Sequence, residues 1–279
     1  MSDALIALLT ALGDDELILG HRHSEWTGYA PHMEEDVAFS SIAQDEIGHA
    51  AAYYSIAAGL TGRSRDEIAF GRDPGDYRNA VVCERPNREW GFTLARHWLY
   101  DNADDVRLAA LEESSHQDLA SLARKIRREE RYHLIHADTW IKRIVHGPVE
   151  GRTKLIDAVS EVYPETLGLF EPVENEDVAV AEGILPIPSG ELLQRFVERT
   201  AAALDELGLP TEARALADET AEFVASSSGD LIERESTGDA APAVRPAALG
   251  GRSGRHTDDF KELWDVMTVT YRSHPGASW

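Results

Sequence analysis

The stretch Ala43–Tyr54, "AQDEIGHAAAYY", and the stretch Arg127–Asp138, "RREERYHLIHAD", each contain Glu-x-x-His: Glu46 with His49, and Glu130 with His133. Residues three and four apart share a helix face, so each pair sets a carboxylate beside an imidazole. The chain holds 50 acidic residues and 11 histidines, and a single such pair is expected by chance. Two of them draw meaning only from what surrounds them.

Both stretches sit in long runs of helical periodicity. A first helix, capped by Ser2 or Asp3, is expected to run to about Trp26. Pro31 introduces a second, over 32–60, and a third and fourth follow over 88–113 and 117–145. Each carries acid in an otherwise mostly apolar stripe. The stripes are Leu9, Leu12, Glu16, Leu19, His23; Ile42, Glu46, His49, Tyr53; Leu94, His97, Asp101, Asp105, Leu108; and Leu122, Ile126, Glu130, His133, Ala137. A lone carboxylate facing a core is strongly disfavoured by desolvation. Four carboxylates and two histidines make sense together if they converge on cations.

Spacing supports convergence. Glu16 precedes Glu46 by 30 residues, and Asp101 precedes Glu130 by 29. Each interval is one helix, a turn and a return to the same height. Two helices giving one carboxylate each, and two giving Glu-x-x-His, is the ligand recipe of ferritin-like di-metal carboxylate proteins. The candidate metal ligands are therefore Glu16, Glu46, His49, Asp101, Glu130 and His133. Asp101 is the shortest, with Asp104 and Asp105 as nearby alternatives. Neutral histidine nitrogens suit iron, with manganese the alternative, better than magnesium or calcium. Asp14, Asp15, Asp45 and Glu129 read as charges on solvated faces. Asp45, His97 and Asp105 are the candidates for orienting the histidines from behind. The aromatics Trp26, Tyr53, Tyr54, Trp90, Trp98 and Trp140 read as packing.

The rest of the chain extends the bundle. The connection over 61–87 is rich in Gly, Asp and Pro, with a weak strand or loop expected around Val81–Cys83. A fifth helix is expected over 152–169, kinked or broken by Pro164. Residues 171–190 read as loop, and further helices follow over 190–207 and 211–225. The composition shifts to Ser, Gly, Pro and Ala over 226–256, which reads as a flexible or partner-ordered segment. A C-terminal amphipathic helix with a tail closes the chain over 257–279. Its Phe260, Leu263, Trp264, Met267 and Tyr271 suit either docking to a partner or capping the domain's own core. The fold class is all-α: a ferritin-like antiparallel four-helix bundle over 1–225, with extra C-terminal helices.

Composition excludes several functions. The net charge of −23 argues against nucleic-acid binding, which needs a basic face to displace counterions. Such acidity fits a high-salt cytoplasm or ordinary solubilising charge. The N-terminal apolar run is interrupted by Gly13, Asp14 and Asp15, so neither a signal peptide nor a membrane span is expected. One cysteine, Cys83, rules out an internal disulfide and suits a reducing cytoplasm. There is no Gly-rich phosphate loop and no Gly-x-Ser-x-Gly elbow.

Residues 12–50, "LGDDELILGHRHSEWTGYAPHMEEDVAFSSIAQDEIGHA", together with "REERYHLIHADTWIKRI" and the ending "GGRSGRHTDDFKELWDVMTVTYRSHPGASW", resemble the PaaC subunits of ring-1,2-phenylacetyl-CoA epoxidase. The resemblance runs, in order, over nearly the whole chain. It implies a ferritin-like bundle acting in aerobic phenylacetate catabolism, partnered by a homologous catalytic subunit, PaaA, and fed by a separate reductase. It implies an aromatic acyl-CoA substrate and a homo- or hetero-oligomer. It also implies a structural role, because the di-iron site of such complexes lies in PaaA and that of PaaC is degenerate. This sequence departs there: Glu16, Glu46 and His49 fill positions the degenerate members have lost. Two other roles stay open beside it, a self-sufficient di-iron oxidase or oxygenase and a non-catalytic ferritin-like metal-binding or scaffold protein.

Overall fold

The computed structural model describes residues 2–227 and 249–277. Among them there is no strand. Helix α1 spans Ser2–Ser24 and α2 Met33–Thr61. Helix α3, Arg65–Phe70, and the single turn α4, Val81–Glu84, occupy the connection. Helix α5 covers Trp90–Leu111, α6 Gln117–Val145 and α7 Val149–Thr166. Helices α8 (Glu176–Ala181), α9 (Ser189–Leu207), α10 (Thr211–Ser227) and α11 (Asp258–Ser273) complete the set. The all-α reading holds, and α6 has the bounds expected of it. Two local expectations fail. Val81–Cys83 is a buried helical turn rather than a strand, and the loop over 171–190 contains α8.

Local chemistry fixes several ends. The Ser64 side chain accepts from the Glu67 amide and starts α3. His116 does the same for α6, its Nδ1 accepting from the Leu119 amide at 3.3 Å. Pro164 does not break α7, which continues to Thr166 and then tightens into a 3-10 turn at Leu167–Phe170.

Helix α1 packs along α2, and α5 packs along α6 and α7. Gly20 sets the closeness of the first pair. A Cβ there would lie 2.9 Å from Ile47 and 3.2 Å from both the Ala43 carbonyl and the Glu46 Cβ. The helices are therefore tightly packed beside a candidate ligand. Between the two helix pairs lies a polar layer that divides the apolar interior. On one side is the main core, including Leu5, Leu9, Tyr53, Leu99 and Ile126; on the other are Phe39, Ile42 and Leu94, flanked by Trp26, Trp90 and Trp140.

Asp14 and Asp15 correct the sequence reading, because both are fully buried. Asp14 accepts from the Tyr54 hydroxyl at 2.5 Å, the Arg78 amide at 2.7 Å and Arg72 at 2.9 Å. Asp15 accepts from Arg107 and Arg252, each at 2.7 Å. Helix α11 caps the protein's own core: Phe260, Leu263, Trp264 and Met267 are buried, and the Trp264 indole donates to the Arg72 carbonyl at 3.1 Å. The segment 226–256 is described at its two ends, and both are built into the fold: 226–227 finish α10, and Gly250–Arg252 are buried. Residues 228–248 lie outside the described residues.

Two glycine substitutions test this packing. Gly20→Ala will destabilise the protein by about 1–3 kcal/mol through overpacking. Gly59→Ala, on the exposed face of α2 with open space around it, will be neutral or stabilising by up to about 1 kcal/mol. Urea unfolding followed by circular dichroism reads both.

Candidate metal centre

The polar layer is built from four helices. Helix α1 contributes Glu16 and His23, α2 contributes Glu35, Glu46 and His49, α5 contributes His97 and Asp101, and α6 contributes Glu130, His133 and His136. The six candidate ligands are each at most 3 % exposed.

Glu16, His49 and Glu130 converge. Each offers one ligand atom, and these atoms all lie within 4.8 Å of one another. The His49 Nδ1 stands 3.4 Å from Glu16 Oε2 and 3.3 Å from Glu130 Oε1. None of these three atoms makes a hydrogen bond, although all are buried. Glu130 reaches the other side as well, its Oε2 lying 3.1 Å from His133 Nδ1. Both Asp101 oxygens are also buried without a hydrogen bond, Oδ2 lying 3.2 Å from His97 Nδ1. Glu46 is the outlier. Both its oxygens lie 3.0 Å from His23 Nδ1. Glu16, His49 and Glu130 are thus gathered, His133 adjoins them through Glu130, and Asp101 and Glu46 share the layer with a histidine as nearest polar neighbour.

Each Glu-x-x-His imidazole turns Nδ1 inward and Nε2 toward a carboxylate at the rim. His49 Nε2 meets Glu129 at 3.1 Å, and His133 Nε2 meets Asp45 at 3.4 Å. Such partners fix ring orientation and tautomer. Asp45 and Glu129 keep side-chain exposures of 49 % and 39 %, so both face solvent and still serve the site. Asp105 does not serve it; this carboxylate pairs with Arg127 and Arg199, each at 2.8 Å. Sequence reading missed three neighbours, Tyr100, His136 and Glu35. Tyr100 donates to Glu16 Oε1 at 2.9 Å, and His136 bridges His97 at 3.4 Å and Glu35 at 2.9 Å. The three-residue step from His133 to His136, along the same helix face, was the available signal for the second.

The protonation pattern follows from crowding. Burial, then repulsion from Glu16, pushes the Glu46 carboxyl well above its ordinary range. Burial and Glu130 do the same to Asp101. Burial alone would lower His49, but contact with Glu130 and Glu16 pushes it up to about 11. His133 is likewise raised against its burial, by Glu130 and Asp45. Glu130 is held well below its usual range, because His133 and His49 outweigh its desolvation. Without metal, protons supply the positive charge that this cluster requires.

The residues fit a metal. Unpartnered carboxylate oxygens and an imidazole nitrogen at mutual ligand distance are the donor set that divalent transition metals take. A cation there would satisfy the buried atoms that hydrogen bonds leave over.

A family model described as "Phenylacetic acid catabolic protein" matches residues 1–224. The chain is also 27 % identical, over 276 residues, to the C-type subunit of the 1,2-phenylacetyl-CoA epoxidase of Escherichia coli (strain K12), with 99 % of each chain covered. Among the described residues, no helix is long and apolar enough to cross a membrane.

The protonation pattern has a measurable sign. A group whose folded pKa is raised binds its proton more tightly when folded, so its stabilisation is lost as pH rises toward that value. Between about pH 7 and 9, His49 at about 11 and Asp104 at about 8 both act in this direction. Metal-stripped protein will therefore melt at a lower temperature at the upper end of this range. Metal must displace the His49 proton, so metal affinity will rise with pH over the same interval. Scanning calorimetry and metal titration check the two trends.

Proposed function

The chain belongs to the phenylacetic acid catabolic protein family, and on that premise we propose that it is the C-type component of a multicomponent phenylacetyl-CoA 1,2-epoxidase that has kept its own di-metal site. The observation that carries this is the convergence of Glu16, His49 and Glu130 inside a chain matched from end to end by a C-type epoxidase component. The partners are a homologous A-type component and a reductase, the substrate is an aromatic acyl-CoA, and the setting is cytoplasmic.

Two iron ions are the proposed occupants, with manganese the alternative. Glu16, His49 and Glu130 would hold one, and Glu130, His133, Asp101 and Glu46 the other. Glu130 and Glu46, as the carboxylates of the two Glu-x-x-His motifs, would supply ligand oxygens to the site. When bound, iron supplies redox chemistry with O2. The chain's own residues do the rest. Glu129 and Asp45 hold the imidazoles with Nδ1 inward. Phe39, Trp90 and Trp140 keep water from the layer on one side. Glu16, Glu46, Asp101 and Glu130, all ionised, would balance the charge of two divalent ions. The CoA moiety, with its phosphates, has no place in the bundle interior and belongs along an outer surface of the assembly.

A scaffold reading rests on the engagement of Glu46 by His23, which occupies one donor of the set. The two readings separate cleanly. The chain purified alone and loaded anaerobically with Fe(II) will hold about two irons. Glu130→Gln will drop uptake at least about tenfold, because Glu130 serves both positions. Co-expressed with its A-type homologue, both wild type and Glu130→Gln will co-elute in size-exclusion chromatography, since Glu130 is interior. Less than one iron per wild-type chain leaves only the scaffold, and the absence of a complex removes the assignment to the epoxidase assembly.

A further inference from the structure

Asp15, Tyr100, Arg107 and Arg252 are all buried, and the ligand assignment above gives none of them a role. They form a continuous path. Arg252 forks onto Asp15, Nη1 donating to Oδ1 at 2.9 Å and Nη2 to Oδ2 at 2.7 Å. Arg107 Nη1 donates to the same Oδ2 at 2.7 Å. Arg107 Nη2 donates to Asp104 at 2.7 Å and faces the Tyr100 hydroxyl oxygen at 3.4 Å. The Tyr100 hydroxyl donates to Glu16 Oε1 at 2.9 Å.

We propose that this path makes Tyr100, Arg107 and Arg252 positioning residues for metal binding. In this role the loop around Gly251–Ser253, from the far end of the chain, aims the Glu16 carboxylate at the metal. The inference rests on the di-metal reading and adds what sets its geometry.

The direction of each hydrogen bond carries the case. A guanidinium has donors and no acceptor. The Tyr100 oxygen therefore accepts on its Arg107 side, and its own proton is left for Glu16. That proton engages Oε1. Oε2 remains, buried without a hydrogen bond and 3.4 Å from His49 Nδ1. One oxygen tied by an outer donor and the other presented inward is how an outer shell orients a carboxylate ligand. Arg107 is fixed in turn by two carboxylates, Asp104 and Asp15. Arg252 anchors Asp15 and also donates to the carbonyls of Ala11, Arg78 and Leu169, at 3.3, 2.6 and 3.1 Å. Gly251 lets the loop descend this far, because a Cβ there would overlap the Asn79 carbonyl.

Purely structural ion pairs would predict destabilisation spread over the whole protein. Positioning predicts loss at one metal. The test is anaerobic titration of the full chain with 57Fe(II), followed by Mössbauer spectroscopy, which gives each iron its own doublet. Wild type will fill two positions. Tyr100→Phe deletes one oxygen atom and will weaken one of the two at least about tenfold, leaving the other unchanged. Arg252→Met will weaken the same position. The double variant will be no worse in iron affinity than Tyr100→Phe alone, because Arg252 acts through Tyr100. Additive losses, or losses shared equally by both positions, would overturn the path and leave the metal reading standing. So would unchanged affinity in Tyr100→Phe, which decides the matter even if Arg252→Met fails to fold. If wild type takes up no iron, the metal reading itself fails and this inference goes with it.

Discussion

Glu130 stands between two histidines inside a helical bundle, 3.3 Å from His49 Nδ1 and 3.1 Å from His133 Nδ1. The surrounding architecture answers the problem this contact poses. A buried carboxylate needs compensating charge, and Glu16, Glu46 and Asp101 in the same layer add to the demand. Hydrogen bonds meet it only in part, since oxygens of Glu16, Asp101 and Glu130 stay unpartnered. Two helix pairs with well-packed apolar cores on either side hold these groups together against their repulsion. A fold that concentrates acid in its driest region invites cations, and the position of the donors tells where they would bind.

The bundle was legible in the sequence because helical periodicity survives over long runs. The bounds of α6 matched the periodicity, with His146-Gly147-Pro148 after it providing the stop signal. The register of Glu16 with Glu46, and of Asp101 with Glu130, was legible for the same reason: four antiparallel helices repeat a height at a fixed interval. Asp45, named both as a solvated charge and as a candidate for orienting a histidine, stands at the rim within reach of His133 Nε2.

What was not legible depends on distant partners. Asp14 and Asp15 look like solvent-facing charges until Arg72, Arg107 and Arg252 arrive, from 58, 92 and 237 residues away. Val81–Cys83 has β-branched residues and reads as extended, yet its burial against the bundle favours a helical turn. Tyr100 lies on α5, one residue before Asp101, so its neighbour in the sequence is a different candidate ligand. Only the three-dimensional arrangement joins it to Glu16. The Gly-Gly-Arg motif near the end of the chain carried a family resemblance in the sequence, and the fold supplies a physical reason for it: Arg252 reaches Asp15, one residue before a candidate ligand.

The polar layer is proposed as a two-metal site. Anomalous diffraction at the iron edge, from crystals of the iron-loaded protein, addresses it directly. Two peaks about 3–4 Å apart are expected between α1, α2, α5 and α6, one beside Glu16 and His49 and the other beside His133 and Asp101. No peak there, with His49 and Glu130 bonded only to each other, would contradict it.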